Sequence, residues 1–132
     1  MHITYQIGVL PTVTQVTALY NAAGLPRPTH DPERMQQMYA HSNLVVTAWE
    51  GDTLIGVSRS ITDWVWSCYL ADLAVDPSYQ KSGIGKKLIQ LTKEKAGEQS
   101  MVLLLSVPTA LEYYPRVGMQ KVENGFILPR EK

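Results

Sequence analysis

The stretch Leu70-Ala-Asp-Leu-Ala-Val-Asp-Pro-Ser-Tyr-Gln-Lys-Ser-Gly-Ile-Gly-Lys-Lys-Leu-Ile89 constrains this chain more than any other. An apolar run leads into a Pro-marked turn, then a loop containing Gly83 and Gly85, then an amphipathic pattern. It reads as a buried strand, a loop and the first turns of a helix, with the glycines at the junction. A helix start exposes unpaired backbone N–H groups and the positive end of the macrodipole, which suits an anion. Glycine there lets a phosphate approach the backbone with no Cβ in the way. The loop is not a P-loop, because Gln80 stands where the first glycine belongs and Lys87 where Ser or Thr belongs. The dinucleotide fingerprint fails too, since Leu88 takes the place of its third glycine. The plain alternative is tight strand-to-helix packing.

The rest of the chain falls into short alternating elements. Ile3 to Ile7 alternates apolar and polar residues, as a half-buried strand does. Pro11-Thr12 opens a helix that runs to Ala23, closed by Gly24 and Pro26. Asp31 and Pro32 start a second helix with Met35, Met38 and Tyr39 inward. Leu44–Glu50 and Leu54–Ile61 flank Gly51-Asp52-Thr53 as a hairpin, and Trp66–Val75 is the next strand. A helix from Gly83 to about Glu98 carries Ile84, Leu88 and Leu91 on one stripe. Met101–Val107 is apolar enough for a strand buried on both faces, followed by a short helix from Pro108 to Arg116. Asn124-Gly125 between Met119–Val122 and Phe126–Leu128 predicts a final hairpin. The order β-α-α-β-β-β-α-β-α-β-β gives an α+β domain on a mixed central sheet with helices on both faces.

At 132 residues the chain is expected to form one domain, 1–132. Lys plus Arg and Asp plus Glu are both 12, so no excess charge points to a nucleic-acid partner. No apolar run is long enough for a membrane span. The single Cys68 rules out an intrachain disulfide and fits a reducing compartment, so a cytoplasmic location is expected. His2, His30 and His41 lack metal-ligand spacing, and no metal is expected.

Gln80-x-x-Gly83-x-Gly85 after an apolar strand resembles the acetyl-CoA pyrophosphate loop of the GNAT N-acetyltransferases. A second stretch, Ala110-Leu-Glu-Tyr113-Tyr114-Pro-Arg116-Val-Gly118-Met119, is similar to the GNAT segment Ala-x-x-Phe-Tyr-x-Lys-x-Gly-Phe. The element order is also similar to the GNAT fold, so the resemblance covers nearly the whole chain. Leu25-Pro-Arg27-Pro28 and Gly56 to Asp63 resemble the small bacterial members and the arylalkylamine and serotonin N-acetyltransferase-like branch. One position departs: Val107 stands where many members carry an Asn that helps hold the pantetheine arm.

The resemblance implies transfer of acetyl from acetyl-CoA, as acyl-donor substrate, directly to a primary amine of a small molecule. It implies that Leu73, Ala74 and Val75 offer backbone groups to the pantetheine. Gln80, Lys81, Ser82, Gly83, Ile84, Gly85 and Lys86 would then cradle the pyrophosphate. Tyr114 is the candidate general acid for the thiolate: a phenol is neutral at pH 7, with an unperturbed pKa of about 10. Histidines that serve the arylalkylamine branch are absent here, replaced by Tyr69 and Ala71. Asp72, a carboxylate inside a strand, is either a base acting through water or a structural partner of Arg59. Asp63 is the other candidate base. Trp64, Trp66 and Tyr69 are either an aromatic wall for the acceptor or ordinary packing. A non-catalytic acyl-CoA-binding or sensing module on the same fold is the alternative function. A homodimer through the final hairpin is the one protein partnership considered.

Overall fold

A computed structural model describes residues 2–132. Five strands form one mixed sheet in the order β1 (Thr4–Ile7), β2 (Leu44–Glu50), β3 (Thr53–Thr62), β4 (Ser67–Val75), β5 (Met101–Leu103). Neighbours are antiparallel except β4 and β5, which run parallel because the chain between them crosses over through a helix. Helices α1 (Val13–Ala23) and α2 (Pro32–Ala40) cover one face with Val16, Leu19, Tyr20, Met35 and Tyr39. Helix α3 (Ile84–Ala96) covers the other with Ile84, Leu88 and Ala96. Alternation along β2 serves both layers at once, Val45 facing the first cluster and Leu44 and Val46 the second.

Local chemistry sets the helix ends. Thr12 and Gln15 form a reciprocal capping box on α1, and Gly24 closes that helix in the left-handed conformation. Asp31 accepts from the Arg34 N–H to cap α2, with Pro32 in its first turn. Gly56 lets α3 seat closely on β3: a Cβ there would lie 3.1 Å from both Ile84 Cγ2 and Leu88 Cδ1. Leu88 is fully buried at this contact, and truncating it to Ala would cost about 2–5 kcal/mol.

The C-terminal third departs from the sequence reading in three ways. The strand expected over Met101–Val107 stops at Leu103, and it is an edge strand with Met101 54% exposed rather than a strand buried on both faces. The helix expected over Pro108–Arg116 is a 3₁₀ turn (Pro108–Ala110) followed by one helical turn, α4 (Tyr113–Arg116). The final hairpin is not formed: residues 119–128 are neither strand nor sheet-paired, and Phe126 and Leu128 are almost fully exposed. A two-stranded hairpin needs a sheet to join. After Leu103 the chain swings away from β4, so β5 offers only a three-residue template.

Candidate active site

The swing away from β4 makes the site. Pairing between β4 and β5 covers Ser67, Cys68 and Tyr69 and then ends, while β4 continues to Val75. The gap opens into a cavity of about 680 Å³. One wall is the free stretch of β4, including Leu73, Ala74 and Val75, and the opposite wall is the segment through Val107, Tyr113 and Tyr114. Backbone amides left unpaired by the parting strands are thus offered to whatever fills the space.

The loop and α3 start close one end. Lys81 (φ +75°) and Gly83 (φ +77°) both sit in the left-handed region, the turn geometry that makes successive N–H groups converge. No side chain caps α3, and its first intrahelical bond runs from the Lys87 N–H to the Gly83 carbonyl. The N–H groups of Ile84, Gly85 and Lys86 therefore have no partner within the helix. At Gly85 an added Cβ would overlap the Tyr113 hydroxyl, so any side chain there would have to displace the Tyr113 ring. Gln80, Lys81, Gly83, Ile84, Gly85 and Lys86 all line the cavity. This cradle fits a phosphate-bearing cofactor such as coenzyme A: helix-start donors without an intrahelical partner, two lysines, and open space beside Gly83, with the Tyr113 hydroxyl lying over Gly85.

Tyr114 lies half-buried in the far wall, packed edge-to-face on Tyr113 with ring centroids 5.3 Å apart. Burial raises its pKa, the neighbouring Tyr113 adds to the rise, and the Arg27 charge works against it. The phenol stays protonated at neutral pH and can donate.

Asp72 is turned away from the cavity and fully buried. Its Oδ1 accepts from Arg27 Nε at 2.5 Å; its Oδ2 accepts from Arg59 Nε at 2.6 Å and from the Tyr20 hydroxyl at 2.7 Å. Arg59 is its cross-strand neighbour in register, the structural arrangement the strand pattern allowed. Burial alone would raise the Asp72 carboxyl, but the Arg59 hydrogen bond and charge, then Arg27 and Tyr20, hold it below the ordinary carboxylate range. Asp63 is likewise engaged: its Oδ1 accepts the backbone N–H groups of Val65, Trp66 and Ser67, closing the β3–β4 turn. These bonds, the one from Ser67 foremost, lower its pKa.

The aromatic residues at that turn do not enter the cavity. Trp64 and Trp66 are 40% and 75% exposed, and Tyr69 borders a neighbouring groove between β5 and the C-terminal segment. Val107 does line the cavity, at the position where the Asn side chain is missing. The sequence reading assigned no role to Tyr113, which covers Gly85, or to Arg27, which reaches from the loop after α1 to β4. The only signal for Arg27 was Asp72 itself, a buried acid in need of partners.

A sheet that parts beside a glycine-rich helix start defines a class, and the comparisons agree. The chain belongs to the acetyltransferase (GNAT) family, whose model matches residues 13–119. GCN5-related N-acetyltransferase 1, chloroplastic, of Arabidopsis thaliana is 24% identical over 115 residues, covering 84% of this chain and 57% of that protein. Histone acetyltransferase TAP1 of Glycine max is 28% identical over 78 residues, covering 58% of this chain and 34% of that one. The chain thus spans little more than half of the first and about a third of the second. Among solved structures, the GNAT family acetyltransferase SP0256 from Streptococcus pneumoniae TIGR4 superposes with TM-score 0.76 at 26% identity, over 99% of this chain and 100% of that one. Aminoglycoside N-acetyltransferase AAC(6')-Iy, solved in complex with CoA, shares the fold at TM-score 0.72 and 14% identity, over 99% and 96%.

Proposed function

We propose that this chain transfers the acetyl group of acetyl-CoA directly to a primary amine of a small molecule. The observation that carries the reading is the uncapped α3 start opening into the gap between β4 and β5, with Tyr114 in the facing wall.

In this reading the N–H groups of residues 81–86 and the Lys81 and Lys86 side chains hold the pyrophosphate. The free edge of β4 from Leu73 to Val75 orients the pantetheine, and the parted strands bring the thioester to Tyr114. The neutral amine attacks the acetyl carbon, a C–N bond forms and the C–S bond breaks. Tyr114 gives its proton to the departing sulfur, and the proton shed by the amine leaves through water. Asp72 serves here as a positioning residue, holding Arg27 and Arg59, rather than as the base. It already accepts three hydrogen bonds, is fully buried away from the cavity, and its carboxyl is tuned toward a weaker base. The acceptor must therefore reach the site already neutral, or lose its proton to water.

Titration with acetyl-CoA by calorimetry, with Tyr114→Phe alongside, tests the proposal. The variant should bind acetyl-CoA as the wild type does while turnover falls by roughly 10²–10⁴-fold. Equal turnover would remove Tyr114 from the chemistry. Absence of binding by the wild type would overturn the transferase reading altogether.

A further inference from the structure

The cavity has a charge imbalance that the cofactor cradle uses only in part. Among the described residues every charged side chain lining it is cationic: Arg27, Lys81, Lys86 and Arg116. Lys81 and Lys86 stand at the pyrophosphate loop. Arg27 is at the other end, donating Nη2 to the Ala71 carbonyl at 3.0 Å. Ala71 precedes Val75 by four strand residues, or about 13 Å.

Arg27 also belongs to a buried cluster with one positive charge left over. Two guanidinium groups, Arg27 and Arg59, share the single carboxylate of Asp72, and neither makes another ion pair among the described residues. Arg59 is enclosed, donating to Ser42 Oγ at 3.0 Å and stacked over the Tyr39 ring. The Tyr20 and Tyr39 hydroxyls beside Asp72 bond to each other at 2.6 Å, and burial raises both phenols, so neither supplies a countercharge. Arg27 is the accessible member, with its side chain 23% exposed. Nε goes to Asp72, one Nη1 hydrogen to the Pro26 carbonyl and one Nη2 hydrogen to Ala71. A guanidinium carries five N–H donors, so two remain, one on each Nη, and carboxylates are the acceptors a guanidinium binds most strongly.

Building on the transferase reading above, we infer that Arg27 is the specificity residue for the acceptor: it binds an acidic group, and the acceptors are small amines that carry a carboxylate. Such a substrate supplies the missing negative charge at the end of the cavity away from the phosphates. Ala23, Leu25 and Leu70 line the same cavity as Arg27 and give the wall apolar surface. Among the described residues a polycationic amine meets no carboxylate lining this cavity and is repelled by its cations.

The experiment compares acceptors matched except for the carboxylate: alanine with ethylamine, leucine with isopentylamine, phenylalanine with phenethylamine. Acetyl-CoA affinity is measured alongside for wild type, Arg27→Gln and Arg27→Lys. The expected result is a preference of at least about tenfold in kcat/KM for the carboxylate member of one or more pairs. Arg27→Gln should erase that preference and Arg27→Lys should keep its direction, with acetyl-CoA affinity unchanged in both. Equal use of both members, or an Arg27→Gln loss equal for both, overturns the inference and makes Arg27 a general electrostatic group. Acetyl-CoA binding without acetylation of any member overturns it too. Failure to bind acetyl-CoA at all overturns the transferase reading beneath it.

Discussion

Helices α1 and α3 begin in opposite ways. At α1, Thr12 Oγ1 accepts from the Gln15 N–H at 3.1 Å and Gln15 Oε1 accepts from the Thr12 N–H at 2.9 Å. At α3 the corresponding position is Gly83, with no side chain to offer and a left-handed backbone. A cap and an anionic ligand compete for the same N–H groups, so a helix start can be self-satisfied or receptive but not both. The contrast recurs among the arginines: Arg59 is closed inside the fold, whereas Arg27 lines the cavity with two N–H donors unused within the chain. Polar groups closed inside the fold are paired within the chain, and those at the cavity are left short.

The strongest way to break the closed half of this comparison is at Asp72. Asp72→Asn removes the charge shared by Arg27 and Arg59 and should lower stability by about 3–5 kcal/mol, read from urea unfolding at neutral pH. The sign of the pH dependence follows from the depressed carboxyl. The unfolded chain takes up this proton near pH 3.9, the folded protein only at lower pH. The stabilisation is therefore complete above about pH 4 and lost as pH falls through the folded value. The variant should lack that portion of the acid slope. Identical acid slopes in the two proteins would show that the cluster is not held by this charge.

The open half is tested at Gly85. Gly85→Val brings side-chain atoms into the Tyr113 hydroxyl and across the cradle. Acetyl-CoA affinity should fall by on the order of 100-fold or more, a loss of about 2.7 kcal/mol by calorimetry. Thermal denaturation without ligand checks that the protein still folds. Binding within a few-fold of wild type would place the phosphates somewhere other than the α3 start.

How much of this was legible in the sequence follows the same division. Self-satisfied elements were written locally: the Thr12–Gln15 box, Asp31-Pro32, the Gly24 terminator and the alternation in β4 all lie within a few residues of what they govern. The glycine loop was legible for the opposite reason, because Gly83 and Gly85 forgo a cap and side chains where a helix begins. Cross-strand pairing was legible at Arg59, which the hairpin order sets opposite Asp72, but pairing from outside the sheet was not. Asp72 meets Arg27, 45 residues away in sequence, and Tyr20, 52 residues away, and periodicity cannot show which arginine reaches an acid. The C-terminal hairpin misled because Asn124-Gly125 is a turn signal wherever it occurs, while strand formation depends on a template that β5 ends too early to provide. Trp64 and Trp66 lie outside the cavity for a local reason that the aromatic pattern does not show. Asp63 binds three successive N–H groups, a local turn that holds both indoles outside the cavity.

The smallest effect sharpens the comparison most cleanly. Thr12→Ala deletes the α1 cap and should cost about 1 kcal/mol, seen as a lower urea midpoint with an unchanged slope. Acetyl-CoA affinity should stay within roughly twofold of wild type, because the cap is remote from the α3 start and distant sites act independently. The acceptor end is a stricter test. The last residue of α1, Ala23, and its cap Gly24 line the cavity together with Arg27. If loosening the first turn moved the whole helix, acceptor KM would rise while acetyl-CoA affinity stayed fixed. If α1 is held by Val16, Leu19 and Tyr20 in the core, neither quantity moves and only stability falls. We expect the second outcome, since packing of those buried residues fixes the helix more firmly than its cap does.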